Sequence, residues 1–513
     1  MTAKKERSGA APAFAGAGLK DSVDRLAAEI ADLYLADSMP WVVGYSGGKD
    51  STAVLQLIWA SLAKIPEARC RKPVHVISTD TLVENPIVAL WVSRSLQMMG
   101  KSAQEQGLPL SANRLTPDTE NTFWVNLIGR GYPAPRPKFR WCTERLKINP
   151  STAFITSVVQ RHGEAMLVLG SRRAESVARA RVMDRHGKGQ ERRRVSPNGD
   201  LPNSYIYTPI EDWSNDEVWM YLMQTPNPWG YDNKDLLTMY QGASQDGECP
   251  LVVDASTPSC GDSRFGCWVC TMVEQDKSMQ AMIQNDDEKQ WMLPLLELRN
   301  RLDPPKTAQG DRKLRDFRRM NGTVQLFNDR PIPGPYTQEA RESWLRQVLG
   351  AQRHVRRLGP ETVRDIDLVT QEELQAIRRI WVIEKHEFED SLPSIYEEET
   401  GEPYPGPGLD DNAVFGAEEV ALLRELCSED PLHFELVREL LSTEKQHRNM
   451  LRRAGIFEAL ERAFRRSFFV DEKDAVERAR QRRDALSSAR NAVFGGEVAT
   501  GSRSGDTTLE EAS

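Results

Sequence analysis

The sequence lacks a run of eighteen apolar residues, which is about the length that a helix needs to cross a bilayer. Its first residues, MTAKKERSGAAPAFAGAG, lack the apolar core of a secretion signal, so residues 1–18 are interpreted as a disordered leader. No internal repeat is found either. These absences predict a soluble, cytoplasmic protein with no membrane partner.

The chain also lacks a basic excess, because 67 Lys and Arg stand against 75 Asp and Glu over 513 residues, a net charge of −8. This balance excludes a protein that coats nucleic acid through its overall field. Contact with DNA must come from local patches. Residues 172–194 hold nine Lys or Arg against three acidic residues, and residues 306–319 hold six against two. Each patch is either a path for a polyanion or a solvated charged surface.

Cysteine is scarce and odd in number, at seven, and the spacing of four of them suits a metal better than disulfides. Cys260, Cys267 and Cys270 lie in CGDSRFGCWVC, and Cys142 lies in RWCTERLK. A Cys-x2-Cys pair lets two thiolates converge on one ion or cluster. Spacing alone leaves zinc and an iron–sulfur cluster open. Cys249 lies nearby, as a substitute ligand for Cys260 or a sulfur carrier.

Predicted strands and helices alternate in the first half of the chain. Apolar runs at 40–45, 74–80 and 165–170 predict strands, and helical periodicity follows the first two. This order predicts an α/β fold with a doubly wound, mainly parallel sheet over residues 19–276. Ligands of such sheets bind at the carboxyl ends of the strands. Further along, residues 277–494 predict a C-terminal helical region, and residues 495–513 a disordered tail.

A glycine turn joins the first predicted strand to the helix after it. The turn consists of Ser46, Gly47, Gly48, Lys49, Asp50 and Ser51. Glycines let consecutive backbone N–H groups converge on an anion, and the helix adds the positive end of its dipole. Lys49 supplies a cation, and a bound Mg²⁺ would explain an acidic residue, Asp50, so close to phosphate. The alternative is an ordinary glycine turn capped by serines.

The turn does not fit a Walker A loop, and it resembles the PP-loop, SGGxDS, of ATP pyrophosphatases. The resemblance implies that ATP binds here and is cleaved between its α and β phosphates, which gives an adenylated intermediate. Lys49 and Asp50 are then candidate catalytic residues. The fold that it implies is that of the PP-loop adenine-nucleotide hydrolases.

Two further polar segments follow predicted strands. Ser78-Thr79-Asp80-Thr81 ends the second strand, where Asp80 is a candidate nucleotide contact, although capping of the next helix is an equal alternative. The segment GSRRAESVAR follows the strand at 165–170, and guanidinium groups suit phosphate or sulfate oxyanions. Its candidate anion-binding residues are Gly170, Arg172, Arg173 and Arg179, with Arg173 also a candidate catalytic residue.

The strings RWC-x3-[RK], C-x2-C and the upstream PP-loop together resemble the phosphoadenosine- and adenosine-phosphosulfate reductase superfamily. The segment GSRRAESVAR is similar to an arginine segment of those reductases. Some members hold a [4Fe–4S] cluster with similarly placed cysteines, so the resemblance favours that cluster over zinc, with Cys142, Cys260, Cys267 and Cys270 as ligands.

Longer strings resemble the DndC family of DNA sulfur modification proteins, among them GYSGGKDSTAVLQL, STDTLVENP and IRRIWVIEKHEFEDSLPSIY. The resemblance implies an ATP-dependent sulfurtransferase of DNA phosphorothioation. Its partners would be DNA, a cysteine desulfurase as sulfur donor, and other DNA sulfur modification subunits. A sulfonucleotide reductase is disfavoured because no cysteine follows Cys427. A tRNA thiolase and a non-catalytic scaffold that binds ATP and DNA remain alternatives.

Overall fold

The structure is a computed structural model, and it describes most of the chain. The described residues are 13, 14, 16, 18–137, 139–175, 180, 181, 183, 194–244, 265–303, 311–409, 416–448, 450 and 452–493. Several predictions fall outside them and are not tested: most of the leader, the tail, Arg179, Cys249, Cys260 and most of the patch at 172–194.

A six-stranded sheet lies at the centre of the first half of the chain. Its strands are β1 (Trp41–Gly44), β2 (Val74–Thr79), β3 (Leu110–Leu115), β4 (Ala165–Val168), β5 (Val195–Pro197) and β6 (Ser204–Tyr207). The strand order is β3-β2-β1-β4-β6-β5, and every neighbouring pair is parallel except β5 with β6. The predicted mainly parallel sheet is therefore confirmed. Since β1 lies between β2 and β4, the segments that follow these three strands meet at one edge of the sheet.

Apolar side chains of the strands alternate between two cores, one on each face of the sheet. Trp41 and Val43 of β1 belong to a large core, and Val42 faces a smaller one that includes Ile155 and Val158. Strands covered on both faces read as continuous apolar runs, which explains why β1 was visible in the sequence. The helices of this half are α1 (Gly18–Leu35), α2 (Lys49–Leu62), α3 (Pro86–Glu105), Trp141–Thr143, Asn149–His162, Asn215–Gln224 and Asn233–Gly242.

The second half of the chain is helical, as predicted. Its helices are Lys277–Asn285, Leu293–Leu302, Gln338–Leu358, Gln371–Arg379, Ser391–Thr400, Ala417–Leu426, Pro431–Arg448, Ile456–Arg466 and Glu472–Val493. The sequence pattern did not predict the small antiparallel hairpin of Leu326–Phe327 with Arg330–Pro331. Its turn residues Asn328 and Asp329 have φ angles of 48° and 58°, and Asn and Asp tolerate this left-handed region best after glycine.

Short helical turns complete the described elements. Those with π geometry are Val125–Gly129, Glu144–Ile148 and Ile380–Glu384. Those with 3₁₀ geometry are Thr119–Asn121, Arg173–Glu175, Asp287–Met292, Arg312–Leu314 and Glu361–Val363.

Packing divides the chain into two compact units. The first unit is Met1–Gly310, Gln338–Trp381 and Asp390–Asp411, and the second is Asp311–Thr337, Val382–Glu389 and Asn412–Ser513. This division follows contacts, so the domain limits expected from the sequence, 19–276 and 277–494, stay predictions. No helix among the described residues combines the length and the apolar character that a bilayer crossing requires.

Candidate functional site

The glycine turn of Ser46–Ser51, which is predicted to bind phosphate and is called the phosphate turn below, lies between β1 and α2. Gly47 has a φ angle of 74°, and a Cβ there would lie 2.5 Å from Cγ2 of Val92, so both conformation and space require glycine. Gly48 is the N-cap residue of α2 and offers no side chain to cap it. The first N–H groups of α2 therefore point into the turn with the positive end of the helix dipole.

The two serines of the turn fix its shape from inside. The hydroxyl of Ser51 donates to the carbonyl of Gly48 at 3.0 Å and accepts from the N–H of Ser46 at 3.2 Å. The hydroxyls of Ser46 and Ser51 also lie 3.2 Å apart. These contacts hold the turn closed from within.

Asp50 bridges two cations in this structure. One carboxylate oxygen accepts from Nε of Arg172 at 2.7 Å, and the other lies 3.2 Å from Nζ of Lys49. Arg172 is only 4% exposed and also donates to the carbonyl of Trp213 at 3.2 Å. A buried guanidinium requires an anionic partner, and this requirement explains an acidic residue in a phosphate turn without a metal. The role of Asp50 toward Mg²⁺ stays a prediction.

Lys49 lies in a partly desolvated position. Burial lowers its pKa, an effect only partly offset by the neighbouring carboxylate of Asp50, and the nearby Arg172 lowers the pKa further. A desolvated ammonium interacts more strongly with an incoming anion than one in water. Lys49 and Arg172 thus lie together at the turn, with the carboxylate of Asp50 between them.

Gly170 packs directly against the start of α2. A Cβ at this position would lie 2.9 Å from both the carbonyl carbon and the carbonyl oxygen of Asp50. Only glycine allows the segment after β4 to approach this closely. The contact brings Gly170 and Arg172 to the phosphate turn, and their role in anion binding stays a prediction.

Arg173 pairs with two acidic residues after β6. It lies 3.6 Å from a carboxylate oxygen of Glu211 and 3.5 Å from one of Asp212. Burial raises the pKa of Glu211 most, and the neighbouring Asp212 raises it further. The predicted anion contact of Arg173 would require a bound anion to compete with these two carboxylates.

Asp80 is held by neighbours after β2. It accepts from Nε of Arg114 at 2.9 Å and from the N–H of Leu82 at 2.8 Å. The cap of α3 is Asn85, whose side chain accepts from the N–H of Ile87, so Asp80 does not cap that helix. Its predicted contact with nucleotide stays a prediction.

The segment that carries Cys267 and Cys270 is attached to the end of β2. Cys267 forms an antiparallel bridge with Glu84, the N–H of Trp268 donates to the carbonyl of Val83 at 2.9 Å, and the N–H of Asn85 donates to the carbonyl of Gly266 at 3.2 Å. β1 and β2 are adjacent and parallel, so this attachment places the thiols at the same edge of the sheet as the phosphate turn.

The partly buried Cys267 thiol lies among polar groups. The hydroxyl of Thr81 is 3.3 Å away, and an oxygen of Glu84 is 3.7 Å away. The same oxygen accepts from Thr81 at 3.0 Å and lies 3.4 Å from Nζ of Lys147. Burial, and next the charge of Glu84, raise the pKa of Cys267 to about 12, whereas Lys147 opposes them.

The structure brings three of the four predicted ligand cysteines into one neighbourhood. Cys142 and Cys267 each interact electrostatically with Cys270, and burial raises the pKa of Cys142. Even so, no group of three or more His, Cys, Asp and Glu side chains in the described ranges is arranged to hold a metal ion. The predicted fourth ligand, Cys260, lies outside those ranges. The described cysteines alone therefore do not form a ligand set for a [4Fe–4S] cluster or for zinc.

Arg299 binds the backbone of the cysteine segment, which carries Cys267 and Cys270. Its guanidinium is 1% exposed and donates to the carbonyls of Cys270 at 3.0 Å, Glu274 at 2.9 Å and Val273. One side chain thus fixes the backbone that carries the second cysteine of the pair. No sequence motif pointed to Arg299, because it lies in an ordinary amphipathic helix.

Other neighbours of the site were also missed. Glu84 and Lys147 lie inside the strings STDTLVENP and RWCTERLKI, so charged residues beside the motif positions were the available signal. Tyr240, whose hydroxyl accepts from the N–H of Lys49 at 3.3 Å, gave none.

The basic patch at 306–319 is largely neutralised where the structure describes it. Arg315 lies 3.3 Å from Asp311, and Arg318 lies 2.8 Å from Asp316 and 2.6 Å from Glu435. Arg318 is also buried. These two arginines serve packing within the second unit, so they offer little free charge to a polyanion.

Comparison with known proteins identifies one domain family. Residues 40–230 match the phosphoadenosine phosphosulfate reductase domain. This match supports the superfamily expected from the motifs, and it does not distinguish the DNA sulfur modification family within it.

An uncharacterized protein of Methanocaldococcus jannaschii is 25% identical over 278 residues, which is 54% of this chain and 45% of the relative. The chain thus matches less than half of that relative's length.

Two solved structures are also similar. The phosphoadenylyl-sulfate reductase of Candida auris is 14% identical, over 42% of this chain and 90% of its own, at a TM-score of 0.25. The FMN adenylyltransferase of Candida glabrata is 13% identical, over 47% of this chain and 72% of its own, at a TM-score of 0.26. Similarities at these scores do not establish a shared function.

Proposed function

We propose that this chain is an ATP-dependent sulfurtransferase of DNA phosphorothioation, which adenylates a backbone phosphate and replaces a non-bridging oxygen with sulfur. One observation carries the proposal. The Ser46–Ser51 turn, with Lys49 and Arg172, lies at the same sheet edge as the thiol of Cys267. A turn suited to anions and a thiol at one edge of a sheet form the arrangement that a nucleotide-dependent sulfur transfer needs.

The first half-reaction is adenylation. A non-bridging oxygen of the DNA phosphodiester attacks the α-phosphorus of ATP, the bond between the α-phosphorus and the bridging oxygen breaks, and pyrophosphate leaves. Lys49 and the N–H groups that begin α2 would stabilise the charge that develops on pyrophosphate. Mg²⁺ bound with the triphosphate would share this task. Arg172, Arg173 and Arg179 would hold the α-phosphate or the DNA phosphate.

The second half-reaction is sulfur transfer. The phosphodiester oxygen is a poor leaving group until it carries AMP. A cysteine desulfurase supplies the sulfur as a persulfide, and a thiol reductant releases it as sulfide while becoming a disulfide. The sulfide then attacks the DNA phosphorus, the bond from that phosphorus to the oxygen that carries AMP breaks, and AMP departs with the original oxygen, which leaves a P–S bond. Other DNA sulfur modification subunits and DNA itself are the proposed partners.

A [4Fe–4S] cluster is part of the proposal: Cys142, Cys260, Cys267 and Cys270 would hold it, and it would carry or activate the sulfur for the second half-reaction. Iron and acid-labile sulfide should be present in protein purified without oxygen, at about four of each per chain. If the purified protein instead contains one equivalent of zinc and no iron, the cysteines hold a structural metal and the cluster is refuted.

The adenylation step is tested by pyrophosphate release from ATP in the presence of DNA and the pathway partners. Wild-type protein should release pyrophosphate, and Lys49→Ala should reduce the rate by about 100-fold, the usual cost of a group that stabilises transition-state charge. Equal rates in the two proteins would refute the role of Lys49. Absence of release from the wild type would favour a scaffold that only binds ATP and DNA.

The substrate is tested by mass spectrometry of nuclease-digested DNA and tRNA from host cells with and without the gene. Phosphorothioate-linked dinucleotides that disappear on deletion would support the proposal. Loss of thionucleosides from tRNA, with unchanged DNA, would point to a tRNA thiolase.

A second candidate function is reduction of a sulfonucleotide, because residues 40–230 match the phosphoadenosine phosphosulfate reductase domain. Such an enzyme would release sulfite from adenosine phosphosulfates when given a thiol reductant, and it would do so without ATP or DNA. Sulfite release by the purified protein would favour this candidate over the first.

A further inference from the structure

Tyr240 is a neighbour of the phosphate turn that lies in no motif. It lies in helix Asn233–Gly242, beyond the residues that match the reductase domain. Its hydroxyl accepts from the N–H of Lys49 at 3.3 Å, and a Cβ at Gly48 would lie 3.2 Å from the same oxygen. The phenol oxygen therefore lies against the backbone of the turn itself.

The ring of Tyr240 is fixed in place. Tyr240 is 8% exposed, and its ring contacts Trp219 and Phe265 edge to face, with centroids 5.2 Å and 4.7 Å away. A side chain packed between two aromatic rings cannot withdraw from the turn without opening the core. The hydroxyl is thus a preorganised part of the turn, present before a ligand arrives.

The hydroxyl keeps a proton to donate. Its oxygen accepts from the N–H of Lys49, and the described residues provide no acceptor for its O–H. Burial raises the pKa of Tyr240, so the phenol stays neutral and keeps its proton near neutral pH. An anion in the turn would be the missing acceptor.

The ring also contacts the catalytic candidate. Nζ of Lys49 lies over the ring of Tyr240, 5.5 Å from its centroid, which is within the range of a cation–π interaction. Because Lys49 Nζ is otherwise held by Asp50 at 3.2 Å, ring and carboxylate together limit where the ammonium can go. One tyrosine thus contacts both the backbone and the side chain of Lys49.

We propose that Tyr240 is an anion-binding residue of this site, whose hydroxyl donates to a phosphate oxygen in the Ser46–Ser51 turn while its ring positions the ammonium of Lys49. The ligand class is a polyphosphate, with inorganic pyrophosphate as its smallest member. This assignment rests on the proposed function only in taking the turn to be a phosphate site.

The test is pyrophosphate binding to the full chain, measured by calorimetry with inorganic pyrophosphate and Mg²⁺ as the probe. Tyr240→Phe keeps the ring and removes the hydroxyl, so the Kd should rise by about 10-fold, the usual effect of losing a hydrogen bond to a charged group. The matched control is Tyr221→Phe, which removes the hydroxyl of another buried tyrosine of the same unit and should leave the Kd unchanged.

The role of the ring is tested by a second variant. Tyr240→Leu removes both the hydroxyl and the cation–π contact, so in the pyrophosphate-release assay it should lower kcat for ATP, whereas Tyr240→Phe should chiefly raise KM. A purely structural tyrosine would not separate kcat from KM in this way. Thermal unfolding of both variants shows how much of either effect reflects stability.

The outcomes separate this inference from the proposed function. If Tyr240→Phe binds pyrophosphate as tightly as the wild type, the role of the hydroxyl is wrong, whatever ATP does. If Tyr240→Phe binds more weakly but no protein releases pyrophosphate from ATP, Tyr240 stays an anion-binding residue and the sulfurtransferase proposal fails. If the wild type does not bind pyrophosphate at all, both are overturned.

Discussion

Lys49 and Cys267 lie at the same edge of one sheet, but the chain builds their surroundings in different ways. The phosphate turn is six consecutive residues, closed by hydrogen bonds between Ser46 and Ser51. The surroundings of the Cys267 thiol, called the thiol site here, are assembled from segments distant in sequence. They come together through the bridge of Cys267 with Glu84 and the contacts of Arg299. A local motif carries its geometry with it, whereas an assembled site depends on the rest of the fold.

The comparison implies that a substitution can impair one site and leave the other intact. The largest loss of activity is expected from a substitution in the thiol site. Cys267→Ser should abolish phosphorothioate in host DNA, because serine can neither carry sulfur nor replace a thiolate ligand. Pyrophosphate release from ATP should stay within about 3-fold of the wild type, because the phosphate turn makes its own contacts.

Both quantities are measured on the same variant, by mass spectrometry of digested DNA and by pyrophosphate assay. Cys427→Ser, which changes a cysteine of the second unit, should affect neither. Parallel loss of both activities in Cys267→Ser would show that the two sites are not separable.

A weaker but still large effect should follow from damage to the phosphate turn through its close backbone contact with Gly170. In Gly170→Ala the new Cβ would lie 2.9 Å from the carbonyl of Asp50, so the segment or α2 must shift. We expect pyrophosphate release to fall by about 100-fold, because displacement of reacting groups by about 1 Å costs that much.

The control is Gly100→Ala, a helix position of α3 with nothing within 4 Å of the added Cβ. It should leave the activity unchanged and stabilise the protein by up to about 1 kcal/mol. If the Gly170→Ala protein is as active as the wild type, the turn tolerates displacement. The claim that the activity depends on the local geometry of the turn would then be wrong.

The smallest effect is expected at Arg299, which tests the assembled site without touching a thiol. Arg299→Met leaves the carbonyls of Cys270, Val273 and Glu274 without this donor. We expect the free energy of unfolding to fall by about 2 kcal/mol, as for loss of hydrogen bonds to a charged group, with a lower iron content. Denaturant unfolding measures the first, and metal analysis the second.

Arg301→Met is the matched control, because Arg301 lies on the same helix but is exposed, and it should change stability by less than about 0.5 kcal/mol. Equal stability of the two variants would mean that Arg299 does not hold the cysteine segment.

The same difference explains what the sequence could predict. Buried apolar runs predicted β1, β2 and β4, and the glycine turn between β1 and α2 was recognisable from its own consecutive residues. The hairpin at 326–331 was missed because its two-residue strands are too short to show alternation. Tyr240 and Arg299 were missed because their roles come from positions in space that no local pattern records.

The sequence also did not predict which charged residues pair with the predicted site residues. Arg172 was expected to face an anion, and its nearest one is the carboxylate of Asp50. Arg173 instead faces Glu211 and Asp212. A sequence indicates which side chains carry charge, but the pairing of charges depends on packing.

The attachment of the cysteine segment to the end of β2 has a consequence for the order of folding. The contact between Cys267 and Glu84 closes a loop of 183 residues, whereas that between Ser46 and Ser51 spans five. Loop-closure entropy makes the longer closure costlier by about 3 kcal/mol, so we expect it to form only after the sheet exists to repay it. During synthesis the thiols of Cys142 and Cys267 would stay apart, and any metal or sulfur would be loaded onto a chain whose Ser46–Ser51 turn is already in place.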